Sequence, residues 1–295
     1  MNLLSMKIFV IIAVILHVVW GRCYVGFNQL TPDRIILFTN CQGGTSKDLT
    51  ILKNIEPFPQ VKLLDLQNFS GDFEEDTLAA FPNLEILQIR ESRFKGLTKT
   101  VLKQCCENIT NIIFRKNKHV LDKDLFENSK KLKHVVINLE NLPKIDADLF
   151  KGLNDLEGIV VNSSFVKEID ENAFSHLKKL QLLELHSNDI EEIKPKTFEN
   201  LTSLKTLTLL NNNKLVGMNE TALKNLSNLE LLGLPSEIIS KIEVPKLKEM
   251  MPKLQTVLFK TQDEDCHKEF LDKLKSNNIS VLLVTFVDEP QCIKN

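Results

Sequence analysis

Apolar residues recur along this chain at intervals that suit neither an amphipathic helix nor an alternating strand. The clearest stretch is LKKLQLLELHSNDIEEI, residues 177–193. Its apolar positions, with one asparagine among them, are Leu177, Leu180, Leu183, Leu185, Asn188, Ile190 and Ile193. They are too dense for one face of a helix, and they do not alternate as the residues of a strand do. Such spacing is typical of a short structural unit that repeats along a chain.

The same unit, L-x-x-L-x-L-x-x-N with other apolar residues in place of leucine, recurs along nearly the whole chain. Consecutive copies start 23 to 25 residues apart. The ten first positions are Val61, Leu84, Ile109, Leu132, Leu156, Leu180, Leu204, Leu229, Leu254 and Ile279. Ten copies in register at this period predict a repeat architecture.

Within one copy, the spacing is explained by a short strand and a return segment that share one core. Leu183 and Leu185 point inward from the strand, whereas Glu184 between them points outward. A second apolar set precedes the clearest copies: Ile145, Phe150 and Leu153, then Ile169, Phe174 and Leu177, then Ile193, Phe198 and Leu201. These residues fill the same interior from the return side. Because no single copy can bury that much apolar surface alone, neighbouring copies must stack.

With these spacings the sequence resembles the leucine-rich repeat proteins of the typical, extracellular class. The resemblance implies an α/β fold, a leucine-rich repeat solenoid (horseshoe) of about ten repeats with a parallel β-sheet on its concave face and disulfide-capped ends. It divides the chain into a signal peptide at 1–21, an N-terminal cap at 22–60, the repeats at 61–278, and a last strand with a C-terminal cap at 279–295.

The asparagine position, which satisfies backbone groups inside the turn, is only partly kept. Asn117, Asn188 and Asn212 fit the pattern. The other copies carry Phe69, Ser92, Glu140, Ser164, Glu237, Gln262 and Val287 at the equivalent place. We therefore expect the middle of the solenoid to be more regular than its two ends.

The open ends of a repeat stack must be covered, and cysteines flank both ends of this one. Cys23 and Cys41 bracket the region before the first copy, and we interpret them as an N-terminal cap disulfide. Cys266 and Cys292 hold nearly equivalent positions in the last two copies. Because stacked strands lie about 4.8 Å apart, a second disulfide between these two cysteines is expected.

Cys105 and Cys106 leave several interpretations open. By register Cys106 lies at an interior position, and Cys105 beside it should face outward. The pair is then either a buried, apolar cysteine beside an exposed thiol or a vicinal disulfide. Alternatively, the pair holds an unpaired cysteine, and Cys105 links to another chain. That alternative predicts a disulfide-linked dimer, which Cys105→Ser would abolish.

The N-terminus and the glycosylation sequons indicate export. Lys7 precedes an apolar run at 8–19 that is too short to span a bilayer comfortably and lies where a secretory signal lies. Seven Asn-x-Ser/Thr sequons follow, at Asn68, Asn108, Asn162, Asn200, Asn219, Asn225 and Asn278. Together they predict a secreted, extracellular glycoprotein without membrane insertion.

Charge and motifs argue against other classes of function. Lysine plus arginine is 37 against 39 acidic residues, a balance that gives no reason to expect nucleic acid as a partner. The sequence contains no HExxH, no CxxC pair, no nucleophile elbow and no phosphate-binding glycine loop. His134 and His186 face the sheet surface, but they lie two copies apart in different columns, too far for one metal ion. We expect neither an enzyme nor a cofactor or metal site.

The outward positions of successive strands predict one apolar stripe. The central outward residue is apolar in three consecutive strands, at Ile113, Val136 and Val160. Arg90 and Arg115 lie beside this stripe. An apolar centre flanked by arginine is typical of a protein-contact patch, although β-branched residues are also favoured in strands for their own sake. A glycan at Asn162 would stand beside Val160 and would shift binding toward the N-terminal units, the C-terminal units or a lateral edge.

The paired cysteine, the two-cysteine caps and the short length make the chain similar to the leucine-rich immune proteins of mosquitoes and related secreted insect proteins. In that family the repeats bind other haemolymph or complement-like proteins. Its double cysteine generally follows the repeats and precedes a coiled coil, whereas here the pair lies in the third copy and no heptad segment follows. The resemblance implies a secreted module that binds extracellular protein partners, with a role in innate immunity. The alternative is a structural or adhesion protein of the extracellular matrix or of development.

Overall fold

The computed structural model describes residues 23–284, apart from 32–33, 54, 57, 119–120 and 261–266. The predicted signal peptide and the predicted Cys266–Cys292 disulfide therefore lie outside the described residues. The chain forms two compact units, which divide in the sequence between Asn141 and Leu142.

The first unit is built on parallel strands that follow an N-terminal hairpin. Its strands are β1 (Cys23–Thr31), β2 (Arg34–Gln42), β3 (Leu63–Gln67), β4 (Ser70–Asp72), β5 (Ile86–Arg90), β6 (Arg93–Lys95), β7 (Asn111–Arg115) and β8 (His134–Asn138). Its helices are α1 (Ser46–Ile51) and α2 (Lys99–Cys105), with a 3-10 turn at Phe58–Gln60. β1 and β2 pair antiparallel, and β2, β3, β5, β7 and β8 then lie side by side in parallel. β4 and β6 form a small parallel sheet on the return side.

The second unit repeats this plan and adds helices toward its C-terminal end. Its strands are β9 (Lys144–Ile145), β10 (Gly158–Asn162), β11 (Glu168–Ile169), β12 (Leu182–Glu184), β13 (Glu192–Ile193), β14 (Thr206–Thr208), β15 (Gly217–Met218), β16 (Leu231–Gly233), β17 (Thr256–Lys260) and β18 (Ser280–Val284). Its helices are α3 (Ser236–Ile239), α4 (Val244–Met250) and α5 (Lys268–Ser276), with a 3-10 turn at Glu220–Leu223. β10, β12, β14, β16, β17 and β18 are parallel neighbours in that order. The short strands pair on the return side, β9 with β11 and β13 with β15.

The predicted inward positions form the core of both units. All ten first positions of the repeat are at most 1 % exposed. From the return side of the second unit, Phe150, Phe174 and Phe198 stack with successive ring centroids 6.1 and 6.3 Å apart. Burying one such side chain stabilises the fold by about 1.5–3 kcal/mol relative to exposure. Strand and return segment therefore close on one core in each copy, as the spacing predicts.

A left-handed turn follows seven successive strands. The backbone φ lies between 52° and 60° at Asn68, Glu91, Lys116, Leu139, Ser163, Ser187 and Asn211. Each of these residues comes directly before the asparagine position of its repeat. Residues other than glycine adopt this conformation at a cost of about 1–2 kcal/mol, so the following side chain must compensate for it.

That compensation comes from hydrogen bonds to backbone groups of the preceding repeat and of the same repeat. Asn188 Nδ2 donates to the carbonyls of Val161 and Leu185 at 2.7 and 3.0 Å, and its Oδ1 accepts from the N–H of Ser164 at 2.8 Å. In the first unit, Asn117 Oδ1 accepts from the N–H of Ser92 at 3.0 Å. We call this series of side-chain hydrogen bonds between successive turns the ladder. The ladder is present in both units.

Four positions without asparagine keep the left-handed turn, namely Phe69, Ser92, Glu140 and Ser164. At two of them another side chain accepts the hydrogen bond from the preceding repeat. Ser92 Oγ accepts from the N–H of Phe69 at 2.9 Å, and Glu140 Oε1 accepts from the N–H of Asn117 at 2.8 Å. At Glu237, by contrast, α3 replaces the turn. The C-terminal end is therefore less regular, as expected. In the first unit, by contrast, Ser92 and Glu140 continue the ladder at positions where the sequence lacks the asparagine.

The last strand departs from the predicted register by one residue. The ten first positions would place Leu283 opposite Leu258, but Leu282 lies there and Leu283 lies opposite Phe259. α5 precedes this strand, and the chain leaves it through Asn278 with a φ of 56°. This prediction is wrong because the end of a helix, rather than the leucine spacing, sets where β18 begins.

The predicted N-terminal cap disulfide is confirmed. Cys23 and Cys41 lie directly opposite each other across the β1–β2 hairpin and are bonded. Both cysteines are buried. The hairpin thus covers the edge of β3, which would otherwise expose the first repeat.

Candidate functional site

The predicted contact residues lie on the outward side of the sheet strands. We call the outward side chains of β2, β3, β5, β7 and β8 the first face. They include Asn40, Asp65, Arg90, Ile113, Arg115 and Val136. We call the outward side chains of β10, β12, β14, β16 and β17 the second face, and we include His186, which lies just after β12. This face includes Val160, Asn162, Glu184, His186, Thr208 and Gly233. The two faces belong to different units.

Arg90 is held within the first face by Asp65. Its Nε and Nη2 donate to the two carboxylate oxygens of Asp65 at 3.0 and 2.7 Å. Asn40, which is buried, donates to Asp65 as well, at 2.6 Å. The hydrogen bond to Asp65 is the main cause that raises the pKa of the Arg90 guanidinium. Because its charge is matched in this two-pronged pair, Arg90 orders the face rather than offering a free cation.

Ile113 and Val136 form the apolar part of the first face. They lie opposite each other in the pairing of β7 with β8, and both are half-buried. Arg115, two residues after Ile113, is exposed and forms no ion pair within the part of the chain that the structure describes. An apolar pair with one unpaired arginine beside it therefore stands on this face.

Val160, the third predicted member of the stripe, lies in the second unit. Its neighbour in register there is Glu184 on β12. Glu184 is half-buried, and Asn162 Nδ2 donates to its Oε2 at 3.4 Å. Across residues 23–284, outside the gaps given above, no cation forms an ion pair with this carboxylate.

His186 does not neutralise Glu184. Burial lowers the pKa of the His186 ring, and the neighbouring Glu184 raises it by a smaller amount. The ring is therefore neutral at pH 7, since its ordinary value is already 6.5. The charge of Glu184 stands uncompensated on the second face.

Gly233 is closely surrounded by its neighbours on the second face. It lies in register between Thr208 and Leu258. A Cβ atom at this position would lie only 3.0 Å from Thr208 Oγ1 and 3.3 Å from Leu258 Cβ. Thr208 Oγ1 is buried and has no hydrogen-bond partner among the described residues.

Glu184, Thr208 and Gly233 escaped the sequence analysis, which selected apolar and arginine side chains. Gly233, the last residue of β16, was an available signal, because a glycine in a strand often marks a close approach of backbone or ligand.

The structure contradicts the prediction of an unpaired or intermolecular cysteine at Cys105 or Cys106. The two sulfurs are bonded to each other, and both residues are buried, Cys105 at 4 % exposure. Cys105 is the last residue of α2 and Cys106 caps it. The expected outward direction of Cys105 is wrong because a helix end, unlike a strand, does not send adjacent side chains to opposite sides.

Asn162 is buried on the second face, at 4 % exposure. This position is incompatible with a glycan in the folded chain, so the predicted shielding of the face does not follow. The other six sequon asparagines are exposed: Asn68, Asn108, Asn200, Asn219, Asn225 and Asn278. None of these six lies on either face.

The residues that the structure describes contain neither a metal-binding cluster nor a membrane-spanning helix. No three histidine, cysteine or acidic side chains lie close enough together to hold a metal ion. No helix in the same residues is both long and apolar enough to cross a membrane.

The chain matches a known repeat family over more than half of its length. Residues 67–181 and 121–244 match the BspA-type leucine-rich repeat region, in six copies. No curated protein sequence matches the chain significantly.

Solved structures with the same fold come from receptor-like proteins. In the TLR13–ssRNA13 complex, the matched chain is 19 % identical with a TM-score of 0.59 over 73 % of this chain. In the octameric complex of Latrophilin 3, Unc5D and FLRT2 (LRR), the values are 18 %, 0.58 and 82 %, and 80 % of the matched chain is covered. In the glycosylated Toll–Spatzle complex of Drosophila they are 15 %, 0.57 and 82 %.

This chain spans 30 % of the matched chain of the TLR13 complex and 35 % of that of the Toll complex. At these identities the likeness concerns the fold alone. It confirms the predicted leucine-rich repeat solenoid, with its largely parallel sheet and its N-terminal cap disulfide. The chain belongs to the leucine-rich repeat proteins of the BspA type.

Proposed function

We propose that this chain is a secreted module that recognises an extracellular protein through the outward side of its sheet. The observation that carries the proposal is the second face, where Glu184 is the single carboxylate among mostly apolar and uncharged side chains such as Val160, Leu231 and Leu258. Depletion of charge around an apolar centre distinguishes the core of protein interfaces from ordinary surface.

The positions of the sequons support the same surface. Six exposed asparagines can carry glycans on the return side or at strand edges, and the one sequon on a face is buried. Glycans are bulky and hydrated. Such a distribution leaves both faces free for contact with a partner.

The related structures favour a protein as the partner. Two of the three matched complexes pair leucine-rich repeat chains with other proteins, Toll with Spatzle and FLRT2 with Latrophilin 3 and Unc5D. The TLR13 complex holds RNA. The near balance of 37 basic and 39 acidic residues here lacks the excess of positive charge that RNA binding relies on. The resemblance to the mosquito proteins and the likeness to the Toll–Spatzle complex, a molecular hub in Drosophila development and innate immunity, support an extracellular role in defence.

A glycan placed on the face tests the proposal. Thr206→Asn creates a sequon with Thr208 in the middle of the second face. The tagged full-length chain would be secreted from insect cells and incubated with extracellular fluid of the source organism without reductant. Bound proteins would then be identified by mass spectrometry. We expect wild type to recover a stoichiometric partner and Thr206→Asn to lose it.

Pro195→Asn is the matched control, because it creates a sequon with Thr197 on the exposed return side of the same unit. It should keep the partner. Leu231→Arg disturbs the same face without a glycan and should act as Thr206→Asn does. Retention of the partner by both face variants, or recovery of the chain only in insoluble matrix, would contradict the proposal and favour a matrix role.

A further inference from the structure

We infer that β1 is the contact strand of a homodimer, in which a second copy of this chain adds its own β1 antiparallel to the open edge of the sheet. β1 pairs with β2 on one side and stands at the end of the strand order. Among the described residues, no strand pairs with its other side. This contact lies at an edge of the first unit, so it goes beyond the recognition proposed for the outward side chains.

The open edge of β1 carries a row of backbone donors and acceptors. In an edge strand, every second residue directs both its N–H and its C=O away from the sheet. β1 keeps a regular register with β2 over the seven residues from Cys23 to Gln29, and the register shifts between Gln29 and Thr31. The regular run is about 24 Å long. Such a length suits the addition of a strand from another chain.

β1 lacks the features with which proteins usually protect an edge strand. Protected edges are short, carry charged side chains or proline, contain a bulge, or are covered by another element. The sequence of β1, CYVGFNQLT, contains no lysine, arginine, aspartate, glutamate or proline. Its one irregularity lies at the C-terminal end, after Gln29. The run from Cys23 to Gln29 therefore remains open to pairing.

A second copy is the occupant that this edge fits best. An uncharged strand offers no opposite charge to a charged partner, and its own copy brings no like-charge repulsion. Two antiparallel strands of one sequence are complementary about a two-fold axis, the commonest symmetry of homo-oligomers. Tyr24 and Phe27 are 37 % and 53 % exposed. They point to opposite sides of β1, so a neighbouring strand packs side chains against both.

Contacts with β2 order the edge before a second copy arrives. The Cys23–Cys41 disulfide joins the first residue of β1 to β2 directly across the hairpin. The Tyr24 ring packs edge-to-face on the Phe38 ring of β2, with the ring centroids 5.7 Å apart. Because β1 is already held in extended form, pairing with a copy costs little further conformational entropy.

The association of the secreted full-length chain tests the inference. Sedimentation velocity would be measured over a wide range of concentrations in wild type and in Phe27→Lys. Phe27 follows Gly26, the middle residue of the regular run, so the two lysines would lie opposite or diagonal to each other across the two-fold axis. We expect a reversible wild-type dimer. Phe27→Lys should raise its dissociation constant at least about tenfold, because like charges are brought together.

Ile51→Lys is the matched control. Ile51 is as exposed as Phe27, at 54 %, but it ends α1 and does not lie on β1. This variant should dimerise as wild type does. Phe27→Glu should weaken the dimer as Phe27→Lys does, and an equimolar mixture of the two should restore association through opposite charges. That restoration distinguishes a lost contact from a chain that fails to fold.

Hydrogen exchange locates the contact. Amides of β1 should exchange more slowly at high than at low protein concentration, whereas amides of α1 should not change. A monomer at every concentration, a dimer that Phe27→Lys does not weaken, or a dimer that separates only under reductant would overturn the inference. Protection of β1 that appears only when extracellular fluid is added would overturn it too, and would assign the edge to a strand of another protein.

Discussion

At the scale of single residues, Glu140 is the ionisable side chain in the ladder that supports the left-handed turns. It is 1 % exposed, and its Oε1 accepts from the N–H and from Nδ2 of Asn117 at 2.8 and 3.0 Å. Burial raises the pKa of this carboxyl from 4.5 to about 7, against the two hydrogen bonds from Asn117, which lower it. The folded chain therefore keeps a proton on Glu140 at a pH where the unfolded chain has lost it.

This proton makes stability depend on pH in a defined window. Between pH 4.5 and about 7 the folded state binds the proton and the unfolded state does not, so the free energy of unfolding falls as pH rises. The loss attributable to Glu140 reaches about 3 kcal/mol. Urea unfolding at several pH values should show this decline in wild type, and Glu140→Gln should remove it.

An exposed carboxylate provides the control for the pH series. Glu192→Gln should leave the slope of wild type unchanged, since this side chain is on the surface. If wild type and Glu140→Gln gave parallel curves from pH 5 to 8, burial would not set the protonation of Glu140.

At the scale of structural elements, a side chain in the turn after a strand can hold neighbouring repeats together, as Asn188 does after β12. Asn188 serves two backbone carbonyls of β10 and its own repeat, Val161 and Leu185, and the N–H groups of Ser164 and Val166. These partners are 3 to 27 residues away in sequence and lie inside the unit. One side chain thus joins neighbouring repeats at a place where water does not reach.

Asn188→Ala should therefore destabilise the protein well beyond the loss of one hydrogen bond. Several buried backbone groups lose their partner, at about 1–3 kcal/mol for each unsatisfied group, and we expect a total of about 2–4 kcal/mol. Urea unfolding at fixed pH measures the change. Asn228 also bonds to a preceding repeat, through Thr202 at 2.7 Å, but on the exposed return side. Asn228→Ala should cost less than about 1 kcal/mol, and equal losses in the two variants would contradict this account of the ladder.

At the scale of the whole molecule, burial divides the seven sequons into two groups. Six asparagines are exposed, and Asn162 is buried with its Nδ2 directed to Glu184. The transferred sugar must attach to that same nitrogen. The fold therefore leaves six of the seven sequon asparagines accessible to glycosylation.

Glycopeptide mapping of the secreted protein should find no sugar at Asn162. We expect occupancy among Asn68, Asn108, Asn200, Asn219, Asn225 and Asn278. Asn162→Gln should leave the mass of the secreted glycoprotein unchanged apart from the substitution, whereas Asn200→Gln should remove one glycan. A glycan found at Asn162 would contradict its buried placement and would restore the expectation that the second face is shielded.

The repeat period, the inward positions and the parallel order of the strands all follow from the sequence alone. Each copy must bury the same apolar stripe, so the spacing of leucine, isoleucine and phenylalanine records which residues point inward. Positions such as Leu180 and Phe174 were predicted for that reason, and both are fully buried. The Cys23–Cys41 disulfide belongs here too, because its two cysteines flank the region before the first repeat.

Only the tertiary structure decided the features that depend on contacts between repeats or on where a helix ends. Arg90 meets Asp65 across 25 residues, so a column of outward positions could not show that its charge is matched. The ends of α2 and α5 set the direction of Cys105 and the register of β18, and apolar spacing does not encode either. The close packing around Gly233 depends on Thr208, Leu210 and Leu258, which are distant or separated from it along the chain and are brought against it by the pairing of adjacent strands. Spacing along the chain determines which side of the backbone a residue takes, whereas packing between chain-distant neighbours determines what it meets there.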